Sequence, residues 1–419
     1  MAKNLILFTD RFPFGKGETF LEAEINYLAK EFESIIIIPA KKEATQRELP
    51  QNTSVDNSFA VYLSENKKSK NHYFLNGLFP IVTSRSFYKQ ALRQPQKYLH
   101  PKGFKRICIW SGQVKNMERF LSNYIKREKL DATDNLFYTY WFHLSTAALA
   151  KSLRKAKIIS RAHGFDLYED RGNKPWVGYK FMALPRLHKL FLISQDGYAY
   201  MKKNYPAYQK KYAISRLGVP GRIIEGKDFF KNRNDEFQIV SVSNMIPLKR
   251  VHLIVNSLRA LALLLPSKAI RWHHFGDGPL RKEIEDQIRQ QLNLPNIQAH
   301  LHGMIPNSEL IEFYSKNPVN VFVNVSSSEG IPVSIMEAQA IGIPVIATDV
   351  GGTSEIVNDE NGVLLPPNPL SEDIAKVLSE LVSQPSKWMR KRKLSQENWN
   401  EKFNAEINYE QFSKEVKQL

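Results

Sequence analysis

Cysteine is almost missing from this sequence: Cys108 stands alone among 419 residues. An internal disulfide is therefore impossible and a cysteine-based zinc site is excluded. That economy fits a reducing compartment. Long hydrophobic runs are also missing. The longest, Ile35 to Ile38 closed by Pro39 and Leu261 to Leu265 closed by Pro266, fall far short of the roughly 20 residues a membrane-spanning helix needs. Met1 to Asp10 carries only the short apolar run Leu5 to Phe8, with no small-residue cleavage site behind it, so no signal peptide is expected. A cytoplasmic protein is the resulting expectation. Signatures of helix-turn-helix, RNA-binding sheet and zinc modules are absent as well, so nucleic acid is not an expected partner.

What is present describes a folded chain of two domains. Hydrophobic residues make up 42% and charged residues 24%, the profile of a globular protein, and the length suits two cores of roughly 200 residues each. A net charge of +17 makes the field attractive to anions such as nucleotide phosphates or an acidic lipid surface. Most of the excess is local, with 15 Lys and Arg against 3 Asp and Glu between residues 61 and 130. Tyr73, Phe74, Leu78, Phe79, Phe87, Tyr88, Tyr98, Phe104 and Trp110 are interleaved with those cations. Two readings stand side by side: an element on an anionic membrane surface, at the inner face of the cell membrane, or a solvated basic face with its aromatics in the core.

Leu5 to Thr9 reads as a buried strand, Thr19 to Glu31 as a helix and Ile35 to Pro39 as a second strand. The second half alternates more clearly. Strands are expected at Gln238 to Ser243, Ile270 to Phe275, Ile297 to Leu301, Val319 to Val323 and Pro344 to Thr348. Helices are expected at His252 to Leu264, Leu280 to Gln291, Ser308 to Lys316 and Pro332 to Ile341. Such alternation predicts parallel sheets covered by helices on both faces, an α/β fold. The polar stretch from Gly218 to Glu236 marks the boundary between an N-terminal domain, 1–218, and a C-terminal one, 236–395. After about residue 371, Trp388, Trp399, Phe403, Tyr409 and Phe412 are spaced as a buried stripe, and 396–419 is expected to form a helix returning to the first domain.

Ligands of open α/β sheets sit beyond the carboxyl ends of the strands, and four such loops in the second half are unusual. Asn244 to Arg250 puts two cations, Lys249 and Arg250, before a helix where the dipole disfavours them; they suit a diphosphate. Gly276-Asp277-Gly278-Pro279 is a sharp turn able to bring amides close to phosphate. His302-Gly303-Met304-Ile305 offers backbone groups to a base. The most specific is Val319 to Ala338, where a buried strand enters a Ser-rich loop with Glu329 and Gly330 before a helix opened by Pro332. Free amides there suit phosphate, while Glu329 and Glu337 are carboxylates able to accept sugar hydroxyls.

Glu329 to Glu337, followed by Gly342 to Thr348 and Gly351-Gly352-Thr353-Ser354-Glu355, resembles the E-x7-E signature of retaining GT-B glycosyltransferases, family GT4. The resemblance runs through most of the chain. It implies two Rossmann-like domains facing each other across a cleft, and transfer of sugar from a nucleoside-diphosphate-sugar to a glycan or lipid-linked saccharide with the anomeric configuration kept. Glu337 would bind the ribose, Glu329 the donor sugar, Lys249 the diphosphate, and Gly330, Ile331, Pro332 and Val333 the diphosphate and sugar. Asn244 occupies the place of a family arginine, and Arg250 is expected to compensate. Gly15-Lys16-Gly17-Glu18-Thr19 resembles the family's first glycine loop, so Gly15 and Gly17 join the donor site. Ser160 to Asp166 resembles its His-Gly-x-Asp element, which puts His163 at the reaction centre and Asp166 on the acceptor side, and Tyr140-Trp141-Phe142-His143 resembles an acceptor-side loop, which adds His143, with core packing of its aromatics as the alternative reading. The chain has no Asp-x-Asp and no histidines at metal-ligand spacing, so no metal and no other cofactor is expected. Other GT-B enzymes, such as a sugar-phosphate synthase or an epimerase, and a non-catalytic glycan- or nucleic-acid-binding homologue are the rival readings.

Overall fold

The computed structural model describes residues 2–15, 17–130, 134–153, 155–169, 179–221 and 236–419. Lys16 of the first glycine loop and residues 222–235 of the polar link thus lie outside the described residues. The chain divides into two compact units, Met1–Leu217 with Ile407–Leu419, and Gly218–Glu406.

Seven parallel strands build the sheet of the first unit: β1 (Asn4–Thr9), β2 (Ser34–Pro39), β3 (Thr53–Val55), β4 (Asn135–Thr139), β5 (Lys157–Ala162), β6 (Lys189–Leu192) and β7 (Tyr212–Ile214). Their spatial order is β3-β2-β1-β4-β5-β6-β7. Helices cover both faces, so side chains on both sides of a strand are buried, which is why Leu5 to Phe8 runs apolar without alternation. The second unit holds β8 (Phe237–Val242), β9 (Ile270–Phe275), β10 (Ile297–Gly303), β11 (Val321–Asn324), β12 (Val345–Thr348) and β13 (Gly362–Leu365). Their order is β10-β9-β8-β11-β12-β13, again all parallel. Each strand and helix expected between 238 and 348 is present, with ends displaced by no more than two residues. In both sheets the order reverses beside the first strand, between β1 and β4 and between β8 and β11. Those two switch points are where a doubly wound sheet opens a crevice for ligands.

The aromatic stripe of the C-terminal region is shared between the units. Trp388 and Trp399 lie on the helix Pro385–Lys402 of the second unit, and the Trp399 indole donates to the Val219 carbonyl at 3.1 Å. Phe412 lies on the helix Ala405–Gln418 and packs on the first unit's sheet, its ring 5.7 Å from Tyr138 and 5.0 Å from Phe191. Beneath it Arg161 is fully buried, its guanidinium 4.1 Å from the Phe412 ring centre and 3.1 Å from the Glu24 carboxylate.

The basic segment 61–130 is helical, with helices at Ser58–Glu65, Lys70–Val82, Arg85–Arg93, Pro95–Tyr98 and Pro101–Arg127. Its aromatics divide. Tyr73, Phe87 and Tyr98 are buried, and Phe74, Leu78, Phe104 and Trp110 pack partly buried against the first unit's core, whereas Phe79 and Tyr88 face solvent.

Histidines give the second unit an acid-sensitive edge. His273 Nδ1 lies 2.9 Å from His302 Nε2, and His300 stacks on His273 at 5.1 Å. His274 is buried between Ser241 Oγ, 2.8 Å away, and the Ser243 carbonyl, 3.2 Å away. Burial, with the neighbouring imidazoles of His302 and His300 and with Arg271, pushes His273 down to about 3. Burial lowers His274 to about 4, against the opposing Ser243 hydrogen bond. Both folded values lie below the ordinary 6.5, so the unfolded chain binds protons first as pH falls. The stabilisation is complete above about 6.5 and is lost progressively between there and about 4, amounting to roughly 3 kcal/mol for His274 alone. Urea unfolding across that range reads the loss, and His274→Gln is expected to reduce it, leaving the part that His273 contributes.

Candidate functional site

At the second unit's switch point, the loop after β8 and the loop after β11 meet. Ser327 donates its amide to the Leu248 carbonyl at 2.8 Å, holding the two loops together. Lys249 Nζ then reaches Glu329 Oε1 at 2.5 Å, and Asn324 Nδ2 approaches the same oxygen at 3.4 Å. The helix that follows spans Val333–Ala340 with Pro332 at its N-cap; Ile335 turns its amide back to the Pro332 carbonyl at 3.2 Å, which leaves the first-turn amides of Val333 and Ser334 without an intrahelical acceptor at an end whose dipole favours an anion. Glu337 sits in the second turn of that helix. It accepts a hydrogen bond from Asn307 Nδ2 at 2.6 Å, and burial pushes its carboxyl up to about 7 in spite of that bond. A cation, a helix N-terminus and two carboxylates therefore share one switch point. This is the donor set expected for a nucleoside-diphosphate-sugar, and Gly330 to Val333 lie between its two glutamates.

Two residues expected in this set do other work. Arg250, expected to add a phosphate cation, turns its guanidinium into the backbone. It donates to the carbonyls of Val325 at 2.6 Å, Ser326 at 2.9 Å and Pro367 at 2.8 Å, and to Asn368 Oδ1 at 3.1 Å. It buttresses the β11 loop and does not replace the cation that Asn244 lacks. Gly276, expected at phosphate, spends its amide on the Gly303 carbonyl at 2.8 Å. With φ at +131° and space for a Cβ blocked by the Ser243 carbonyl at 2.0 Å, it is glycine so that the β9 loop can lie against the β8 loop. Asn244 is exposed on the β8 loop, and Met304 is exposed after β10.

In the first unit the switch point lies between the ends of β1 and β4. Glu18 organises it. Its carboxylate accepts from the amides of Asp10 at 2.9 Å, Arg11 at 2.8 Å and Phe12 at 2.6 Å, and from Trp141 Nε1 at 2.7 Å. Arg47 clamps the adjacent glycine loop by donating to the carbonyls of Gly15 and Gly17, at 2.5 Å each. His163 is buried with its ring 4.6 Å from Tyr140 and 4.5 Å from Trp141. Among the described residues neither of its ring nitrogens makes a hydrogen bond, Nδ1 lying 3.8 Å from the Asp166 carboxylate, a costly arrangement for a buried imidazole that a substrate hydroxyl would relieve.

Asp166, expected on the acceptor side, lines the cavity beside these loops. It is buried, and its two oxygens take the amides of Phe142 at 2.7 Å and His163 at 2.5 Å. It positions both loops. A cavity of about 920 Å³ opens beside them, lined by Gly17, Glu18, Trp141, His143, Phe165 and Asp166 at one side and by Phe59, Val61, Leu63 and Met117 at the other. His143, expected on the acceptor side, is among the residues that line it. Arg47 and Asn307 carried no signal in the sequence, and Glu18 and Trp141 stood only as members of their loops, since the folded loops are what bring them to these partners.

Glu18→Gln is expected to weaken the first unit. Whichever way the amide turns, its NH2 faces two of the four donors, and an unsatisfied buried amide costs about 1–3 kcal/mol. Glu18 also holds a left-handed φ of 55°, which those bonds maintain. A lowered melting temperature together with quenching changes at Trp141 would report it; unchanged melting would remove Glu18 from this role.

Comparisons with known proteins bear on the family and the fold. Residues 224–400 match the family model described as glycosyl transferases group 1. WcaL of Escherichia coli (strain K12), whose name places it in colanic acid biosynthesis as a glycosyltransferase, is 28% identical over 230 residues. That match takes in 53% of this chain and spans about half, 55%, of the relative. AmsK of Erwinia amylovora, named an amylovoran biosynthesis glycosyltransferase, is 22% identical over 90% of both chains. Among solved structures, Anabaena HepE in complex with UDP has a TM-score of 0.64 at 15% identity and TarM 0.65 at 14%, the first covering 100% of both chains and the second 100% of this chain and 99% of its own. At those identities the likeness speaks for the fold alone, two Rossmann-like α/β domains of the GT-B kind. A Lys–Glu pair at a switch point, a glutamate in the second turn of the next helix, and the matching family model together identify residues 224–400 as a glycosyl transferases group 1 domain in a chain of GT-B fold.

Proposed function

We propose that this protein is a retaining glycosyltransferase of the GT4 kind, moving a sugar from a nucleoside-diphosphate-sugar to a hydroxyl of a glycan or lipid-linked saccharide in bacterial surface polysaccharide synthesis. The observation that carries the reading is the Lys249–Glu329 pair at the N-terminus of the Glu337 helix. Lys249 and the first-turn amides take the diphosphate, Glu329 a donor-sugar hydroxyl and Glu337 the ribose hydroxyls. The names of WcaL and AmsK support the polysaccharide context, and the UDP held by HepE puts uridine nucleotides first among the donors to test.

In the reaction, the bond between the anomeric carbon and the β-phosphate oxygen breaks and its electron pair leaves with the diphosphate. The acceptor oxygen bonds to the anomeric carbon from the same face, and its proton passes to the departing phosphate oxygen. Charge develops on the diphosphate, where a fixed ammonium and oriented amides act most strongly. His163, whose ring nitrogens make no hydrogen bond among the described residues, contacts the donor sugar at the reaction centre. Metal independence is part of the proposal, because one ammonium and a helix N-terminus offer the phosphate its counter-charge. The test is ligand-induced thermal stabilisation with UDP-, GDP-, dTDP- and ADP-sugars, with and without EDTA. One nucleotide-sugar giving a large shift that survives EDTA agrees with the reading; stabilisation only with added divalent cation would overturn its metal independence.

A further inference from the structure

The helix Lys70–Val82 has two apolar faces, and the core uses only one. Tyr73, Gly77 and Ile81 face the helix Pro101–Arg127. The two helices approach so closely that a Cβ on Gly77 would meet the Cys108 carbonyl at 1.8 Å, and one on Gly112 the Tyr73 carbonyl at 2.0 Å. The other face carries Leu75, 68% exposed, Phe79, 73% exposed, and Val82, also exposed. Their spacing of four and three residues puts them on one stripe. The next helix, Arg85–Arg93, continues it. Tyr88 donates its hydroxyl to the Val82 carbonyl at 2.9 Å, joining the two helices, and Leu92, one turn further on, is 82% exposed. Exposed Leu99 follows shortly after.

Scattered surface leucines need no explanation, but aligned ones across two joined helices mark an interaction surface. Charge identifies the partner. Residues 66–117 contain 11 Lys and Arg and not one Asp or Glu. Arg85, Lys89 and Arg93 alternate along their helix with Tyr88 and Leu92, so cations border the apolar stripe one residue or one turn away, and all three are exposed. A protein partner would need an acidic rim of matching extent, whereas an anionic bilayer presents phosphates over acyl chains, the same two layers in the same order. We infer that the helices Lys70–Val82 and Arg85–Arg93 form a docking face for an anionic membrane surface, with Leu75, Phe79, Val82 and Leu92 entering the acyl boundary and Arg85, Lys89 and Arg93 lying at the phosphates. The inference is independent of which donor or acceptor the protein uses.

Flotation of the purified full chain tests it, using phosphatidylcholine vesicles with and without phosphatidylglycerol. The protein is expected to float with the anionic vesicles only, and less as salt is raised. Phe79→Ser combined with Leu92→Ser should abolish flotation, and Lys89→Ser should lower partitioning about fivefold, the effect of one cation near such a surface. These side chains face solvent, so circular dichroism and the donor-induced thermal shift should match the unsubstituted protein. Absence of flotation with anionic vesicles overturns the proposal. So does flotation unaffected by the serine variants. Lipid-free dimerisation that Leu92→Ser abolishes, without flotation, would make the stripe a contact between copies and overturn it equally.

Discussion

Lys249→Ala is expected to lower turnover by about two to three orders of magnitude, the range seen when one preorganised donor is removed from a developing anion. Lys249 is the cation that the second unit's switch point leaves for phosphate, since Arg250 gives its guanidinium to four acceptors of the surrounding loops. In this structure the ammonium rests on Glu329. A bound diphosphate would draw it away and leave Glu329 to a sugar hydroxyl, so the two residues hold each other ready for the donor. Alanine at 249 removes the phosphate contact and leaves the Glu329 carboxylate without its cation. Lys249→Arg restores charge without the same reach and should recover part of the rate. Steady-state kinetics beside thermal unfolding separates the two effects: a fall in kcat with melting nearly unchanged supports the assignment, and full activity in Lys249→Ala would remove it.

Glu337 should control donor affinity, and through it pH dependence. Two ribose hydroxyls donating to an ionised carboxylate contribute about 1.5–3 kcal/mol each, so Glu337→Ala is expected to weaken donor binding roughly a hundredfold or more. In the free protein, burial holds this carboxyl up to about 7. Binding to the ionised form therefore expels a proton at any pH below that value. Affinity is expected to be flat above about 7 and to fall by up to about tenfold per unit of pH below it. Glu337→Gln keeps the shape but cannot titrate, so calorimetry should show weaker binding with the slope gone. A slope retained in Glu337→Gln would assign the titration to another group.

Much of the second unit was legible because its signals are local. A parallel strand buried on both faces reads as an apolar run, and the loop from Asn324 to Val333 carries its own Ser, Gly and Pro punctuation. Lys249 and Glu329 were both identifiable, though not that they would touch, because 80 residues separate them. Arg250 and Gly276 show the limit of such reading. Each has the right chemistry for phosphate, and only the fold reveals that backbone carbonyls and close loop packing occupy them first. In the first unit the pattern His163 to Asp166 marked a loop at a strand end, and only the fold shows that the aspartate's oxygens belong to the amides of Phe142 and His163. The basic segment was ambiguous for a physical reason: a helix with one core stripe and one exposed stripe has no single apolar face for periodicity to find.

Release of nucleoside diphosphate is the most direct test of the account. The purified protein would be incubated in EDTA with UDP-, GDP-, dTDP- and ADP-sugars in turn, and the nucleotide followed by chromatography. The account predicts cleavage of one nucleotide-sugar, slow without an acceptor, and its loss in Lys249→Ala and Glu337→Ala. Release from none of them, with EDTA or with added magnesium, and no binding of any donor would contradict it.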